Sequence, residues 1–190
     1  MTESDSFVED QQIILSTLEL LKTITWEDLS LISVAQAMRL SPLILYQRFM
    51  TKADLLKGIL RYMDEKTLES YGEGDEGASP GDALFDLVMC RLESLELHKD
   101  AIRSLSYGLW HTPCNALEAY PSALESLRWM LEVSHISTAG ILGMIKLKGF
   151  AIVYMVIIKT WLEDTAGDLS KTMLTVDRLL KQIDPFLRGM

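Results

Sequence analysis

Side chains able to carry out covalent or acid–base chemistry are few and scattered in this sequence. His98, His111 and His135 have no cysteine or carboxylate partner at a recognised spacing, and Glu93, Glu96 and His98 do not form an HExxH ligand pair. Cys90 and Cys114 stand alone without a CxxC, which fits free thiols in a reducing compartment better than a disulfide or a metal site. The sequence has no glycine-rich phosphate loop and no GxSxG nucleophile turn. Catalysis, a metal centre and a bound cofactor are therefore not expected. What the chain does gather is positive charge. Residues 31–66 hold Arg39, Arg48, Lys52, Lys57, Arg61 and Lys66 against Asp54, Asp64 and Glu65, a local cationic excess in a chain of formal charge −9. An acidic chain is repelled by phosphate unless its basic residues cluster. Any polyanion is thus expected to meet this segment, weakly and with strong dependence on salt.

The elements that must position these residues read as helices. Phe7, Ile14, Leu15, Leu18 and Leu21 recur at helical spacing over 7–22. Ser30 can cap a second helix whose apolar face holds Leu31, Val34, Ala35 and Met38, and 39–41 read as a turn. Ser41 followed by Pro42 is a helix start. The hydroxyl accepts an orphan amide, and the proline lacks an N–H where none is needed, which predicts a short helix over 42–48. Thr51 and Asp54 form a variant capping box for a helix over 52–70. The stretch YGEGDEGASPGD, residues 71–82, is a solvated loop. Helical patterns follow at 82–98, 100–110, 116–134, 138–163 and 169–188, and strand alternation is absent. The fold class is all-α, with a small N-terminal domain (1–70) and a larger helical body (82–190).

The 190 residues are 48% hydrophobic and 24% charged, enough for a sizeable core. Residues 1–10 are too polar and acidic for a signal peptide. The most apolar run, GFAIVYMVII at 149–158, is too short to span a bilayer and is flanked by Lys146, Lys148 and Lys159. A cytoplasmic chain with no membrane span is expected. Met89, Met130, Met144, Met155 and Met173 all fall in the body, where adaptable thioether side chains suit irregular apolar ligands.

The helix order and the segment VAQAMRLSPLILYQRFMTKADLL, residues 34–56, resemble the N-terminal signature of the TetR-family transcriptional regulators. The match falls on Ala35, Ser41, Leu45, Tyr46, Phe49, Lys52, Leu55 and Leu56. The resemblance implies an N-terminal helix-turn-helix, a helical ligand-binding and dimerisation domain, and a homodimer joined by the last two helices. A small apolar ligand in the body would then set the spacing of two DNA-reading heads. It implies DNA contacts at Arg39, Tyr46, Gln47, Arg48 and Lys52. It implies a pocket near Met89, Trp129, Met130, Met144, Phe150 and Tyr154, and a dimer surface at Met155, Trp161, Met173 and Val176. The sequence departs from the family pattern in the turn, where Arg39 replaces a glycine. It departs again after Ser41, where Leu43 and Ile44 replace a small residue and a hydroxyl. Leu45, Tyr46 and Phe49 compete for the one buried face of that helix, so at least one of Leu43 and Ile44 is expected to be exposed.

A second resemblance lies at the other end. Trp161, Asp164, Asp168, Thr172, Asp177 and Arg178, within TWLEDTAGDLSKTMLTVDRLL, are spaced as in the TetR-like accessory proteins of ubiquinone biosynthesis. That likeness implies an alternative: an isoprenoid-lipid carrier on the same fold that reads no DNA. Exposure of Leu43 and Ile44 among acids would favour the carrier, and their burial beneath a basic surface would favour the regulator. A third reading makes the short helix a contact for a protein partner.

Overall fold

Short polar residues set where the helices begin. Ser30 accepts from the Ser33 amide at 3.1 Å while Ser33 Oγ accepts from the Ser30 amide at 3.0 Å, a reciprocal box. Ser41 Oγ accepts from the Leu43 amide at 3.3 Å, with Pro42 at the first helical position. Thr51 and Asp54 exchange amide bonds of 2.8 and 3.1 Å, as expected from their spacing. The computed structural model describes residues 3–75, 77–165 and 167–188. Among these, the α-helices are α1 (Glu3–Leu21), α2 (Leu31–Met38), α3 (Pro42–Arg48), α4 (Lys52–Tyr71) and α5 (Pro80–Leu95). A short 3-10 turn (Glu96–His98) leads to α6 (Lys99–His111), α7 (Pro113–Val133), α8 (Gly140–Glu163) and α9 (Ser170–Arg188). The loop expected at 71–82 is shorter than its composition suggests, because Ser79 caps α5 and Pro80 opens it.

The chain divides into two compact units that are not contiguous in sequence. The first takes residues up to Met63 together with Leu97–Ser122, and the second takes Asp64–Glu96 and the residues from Ala123 on. This corrects the expected split into 1–70 and 82–190. The reason is α6, which packs with the N-terminal helices: Ser104 Oγ donates to the Ile24 carbonyl at 3.0 Å, and Gly108 lies against the Trp26 side chain. Ile14, Leu18 and Leu21 form the buried stripe of α1. Gly58 on α4 lets Ile14 approach, since a Cβ there would stand 2.7 Å from Ile14 Cδ1. His98, buried in the same unit, meets Tyr62 edge-on at 5.9 Å. Its Nδ1 has no hydrogen-bond partner among the described residues.

In the second unit α9 packs on α5 and α8. Leu84, Leu87, Phe150, Ile157, Val176 and Leu180 are among its buried side chains. Four hydrogen bonds fix the α8–α9 end. Trp161 Nε1 donates to Glu96 at 2.7 Å. Buried Asp164 accepts from the Thr172 amide at 2.9 Å and its hydroxyl at 2.7 Å. Asp168 accepts from the Ser170 amide at 3.1 Å. Gly143 abuts the backbone of Thr138, whose carbonyl carbon would lie 2.0 Å from an added Cβ. α8 is longer than its most apolar run: 24 residues with a mean hydropathy of 2.1 in its best window, of which 22% is buried. By length and composition it could cross a bilayer, which the expectation drawn from 149–158 alone missed.

Candidate nucleic-acid interface

Arg39 ends α2 at φ 55° and ψ 34°, the left-handed conformation that glycine takes freely. Its amide still closes the helix onto the Ala35 and Gln36 carbonyls, and its side chain is exposed. The turn is thus made without glycine, at a steric cost of about 1–2 kcal/mol. The chain then enters α3, which buries Leu45 and is followed by buried Phe49. At 3.6 residues per turn, Leu43 and Gln47 lie opposite that pair, with Ile44 and Tyr46 on either side. Leu43 is 62% exposed, Ile44 42% and Tyr46 54%, and Gln47 is exposed as well. Both residues at the departing positions are therefore in the open. Ile32 and Met50 are exposed as well, which sequence reading did not find because neither is among the residues that carry the resemblance. Leu31, Ile32, Pro42, Leu43 and Tyr46 line an open groove of about 440 Å³.

The two other cations of the expected site are turned into the protein. Arg48 Nη1 binds Asp10 Oδ1 at 2.7 Å, and its side chain is 14% exposed. Lys52 Nζ donates to the Trp26 carbonyl and, at 3.3 Å, to that of Glu27, and lies 4.6 Å from the centre of the Trp26 ring. Burial lowers the Lys52 pKa, against the opposing pull of Glu27 and Asp28. Arg39, Tyr46 and Gln47 are each exposed, while Arg48 and Lys52 are bonded to the rest of their unit. Leu43 and Ile44 are exposed, so the burial expected of the regulator does not hold, while the groove beside them is lined by apolar side chains rather than by the acids expected of the carrier.

Residues expected around a ligand also separate. Met89, Met130 and Phe150 are buried, Trp129 and Tyr154 are half-buried, and Met144 is exposed. Arg91 runs between them, a residue the sequence reading passed over. Its Nη1 binds Asp64 at 2.6 Å and lies 3.3 Å from Met130 Sδ, its Nη2 binds Ser126 at 2.9 Å, and it sits 5.8 Å from the Tyr154 ring centre. Burial raises the Tyr154 pKa despite that cation. The signal was available: Leu84, Leu87, Val88, Arg91, Leu92 and Leu95 share helical spacing, and an arginine on an apolar stripe requires a buried partner. Of the residues expected at a dimer surface, Met155 and Met173 are exposed. Trp161 and Val176 are fully buried within the single chain, out of reach of a second copy. Trp161 serves the α8–α9 end instead. The C-terminal likeness through Asp164, Asp168 and Thr172 is likewise explained by the bonds that start α9.

Solved structures share this architecture. A TetR transcriptional regulator from Nitrosomonas europaea aligns with a TM-score of 0.70 at 16% identity, covering 92% of this chain and 96% of that one. One from a Rhodococcus species aligns at 0.67 and 14%, covering 96% and 97%. A TetR-family regulator from Streptomyces coelicolor aligns at 0.59 and 14%, covering 98% and 82%. Neither the family models nor the curated proteins gave a match. The likeness defines the fold: this is an all-α chain with the TetR architecture.

Proposed function

We propose that the chain is a TetR-type transcriptional regulator, not an enzyme, that binds DNA as a homodimer in the cytoplasm and responds to a small apolar ligand. The observation that carries this reading is the outward face of α3. In a helix-turn-helix the second helix enters the major groove, and here its Tyr46 and Gln47 are left uncovered, with Arg39 exposed in the turn before it. Pairing is supported by α8, whose Ile141, Leu142, Ile145, Ile152 and Met155 are exposed along one long helix. A second copy would cover them. The ligand would sit in the second unit, among Met89, Trp129, Met130, Phe150 and Tyr154. DNA affinity is expected to be weak, since Arg48 and Lys52 are already engaged, and to fall as salt rises through the phosphate contacts that remain.

The apolar character of the same face supports a second reading, an isoprenoid-lipid carrier that reads no DNA. Genomic fragments captured by the purified chain across a salt series decide between them. Enrichment of a palindromic site that fades as salt rises supports the regulator. Absence of enrichment even at low salt overturns it, and lipid extracted from the same preparation would then support the carrier.

A further inference from the structure

The side chains on α3 do more than permit DNA binding. We infer that this face reads A·T-rich half-sites through thymine methyl groups, with Leu43 and Ile44 against the methyls and Gln47 on a neighbouring adenine. The inference rests on the DNA-binding reading above and names the sequence class it takes.

In the major groove a thymine differs from cytosine by its C5-methyl, which an apolar side chain can cover, and adenine offers the N6/N7 edge that a glutamine amide pairs with twice. Leu43 and Gln47 stand one turn apart at the centre of the outward face, roughly 6 Å along the helix, a span of about two base-pair steps. Ile44 widens the apolar strip on one side. The positions where hydroxyls could bond phosphate are thus given over to groups that can only recognise carbon, while the amide that reads an A·T pair is retained beside them. The occupant is argued from charge and size. The strip lies inside a segment of cationic excess, of which Arg48 and Lys52 are engaged within the unit, and follows the turn that holds exposed Arg39, in a chain of formal charge −9. A helix of 7 residues presents far less than the roughly 800 Å² per partner of a stable protein interface, whereas it suits a groove about 12 Å wide.

The test uses the full chain and a randomised duplex pool. The selected duplex is remade with deoxyuridine in place of thymine, one position at a time, which removes the methyl and nothing else. At two or more positions of each half-site the loss should be roughly fourfold, the value of one buried carbon. Leu43→Ser should abolish that sensitivity at one of them and leave the melting temperature unchanged, because Leu43 is exposed. Tight binding that ignores uracil at every position overturns the inference while leaving the DNA-binding reading intact, and so does a Leu43→Ser profile identical to the parent. Loss of self-association or of vesicle binding in Leu43→Ser, with the uracil profile unchanged, assigns the strip to a protein or lipid and overturns it as well. Failure to select any duplex at any salt removes the parent reading and this inference together.

Discussion

Two uncovered apolar surfaces stand on this chain, and they are built for different company. The strip on α3 is one turn long and is broken by the amide of Gln47. The surface on α8 runs through a helix of 24 residues and is interrupted on its exposed side by Lys148 and Lys159. A short mixed strip can meet a hydrated, edge-reading partner and part from it. A long surface with few polar groups needs a permanent cover, because exposed apolar area of that extent drives association. Exposure alone therefore does not identify a partner; length and the polar groups set among the carbons do.

Four measurements would break or sharpen that contrast. The largest effect is expected from Ile145→Glu with Ile152→Glu on α8. Two carboxylates facing a desolvated surface should weaken the proposed dimer by on the order of 100-fold or more, seen by sedimentation. A dimer of wild-type strength would place the cover elsewhere. Arg91→Met separates loss of fold from loss of surface. It leaves Asp64 with the Ser126 hydroxyl but without its cation, and should cost about 3 kcal/mol in urea unfolding while leaving both exposed surfaces unaltered. Arg39→Gly relieves the left-handed residue at the turn and should stabilise the chain by up to about 1 kcal/mol. The same change should weaken duplex binding, so the two readouts move in opposite directions. If both rise together, Arg39 does not face DNA.

The smallest effect is a pH slope. Burial lowers the His98 pKa, Lys22 lowers it further, and Glu19 acts the other way. The folded chain then binds this proton less readily than the unfolded one. Stability should fall as pH drops below the ordinary histidine value of 6.5 and be fully present above it. His98→Gln should flatten the slope in that window, and an identical slope would assign it to another group.

What was legible in the sequence was local. Ser30, Ser41 and the Thr51–Asp54 pair announce their helices because a cap and the amide it serves lie two or three residues apart. That at least one of Leu43 and Ile44 is exposed followed from counting how many side chains one helical face can bury, and both are. The rest depended on partners far along the chain. Arg48 reads as a phosphate contact until Asp10, 38 residues away, is placed beside it. Lys52 does so until the carbonyls of Trp26 and Glu27 appear. Trp161 reads as an interface residue until Glu96 accepts its indole proton. The contiguous domain split failed for the same reason, since α6 belongs with helices that precede it by dozens of residues.

Gly143 carries a consequence for variation. With the Thr138 carbonyl carbon 2.0 Å from where a Cβ would stand, even alanine must displace main chain, and the main chain has no rotamer to offer. Leu142 and Met144 on either side point into the open. A saturation library across this helix entry should therefore return a single intolerant column between two permissive ones. Natural drift in related sequences would leave the same imprint, a fixed glycine at 143 beside the one at 140, which opens α8 at φ 67°.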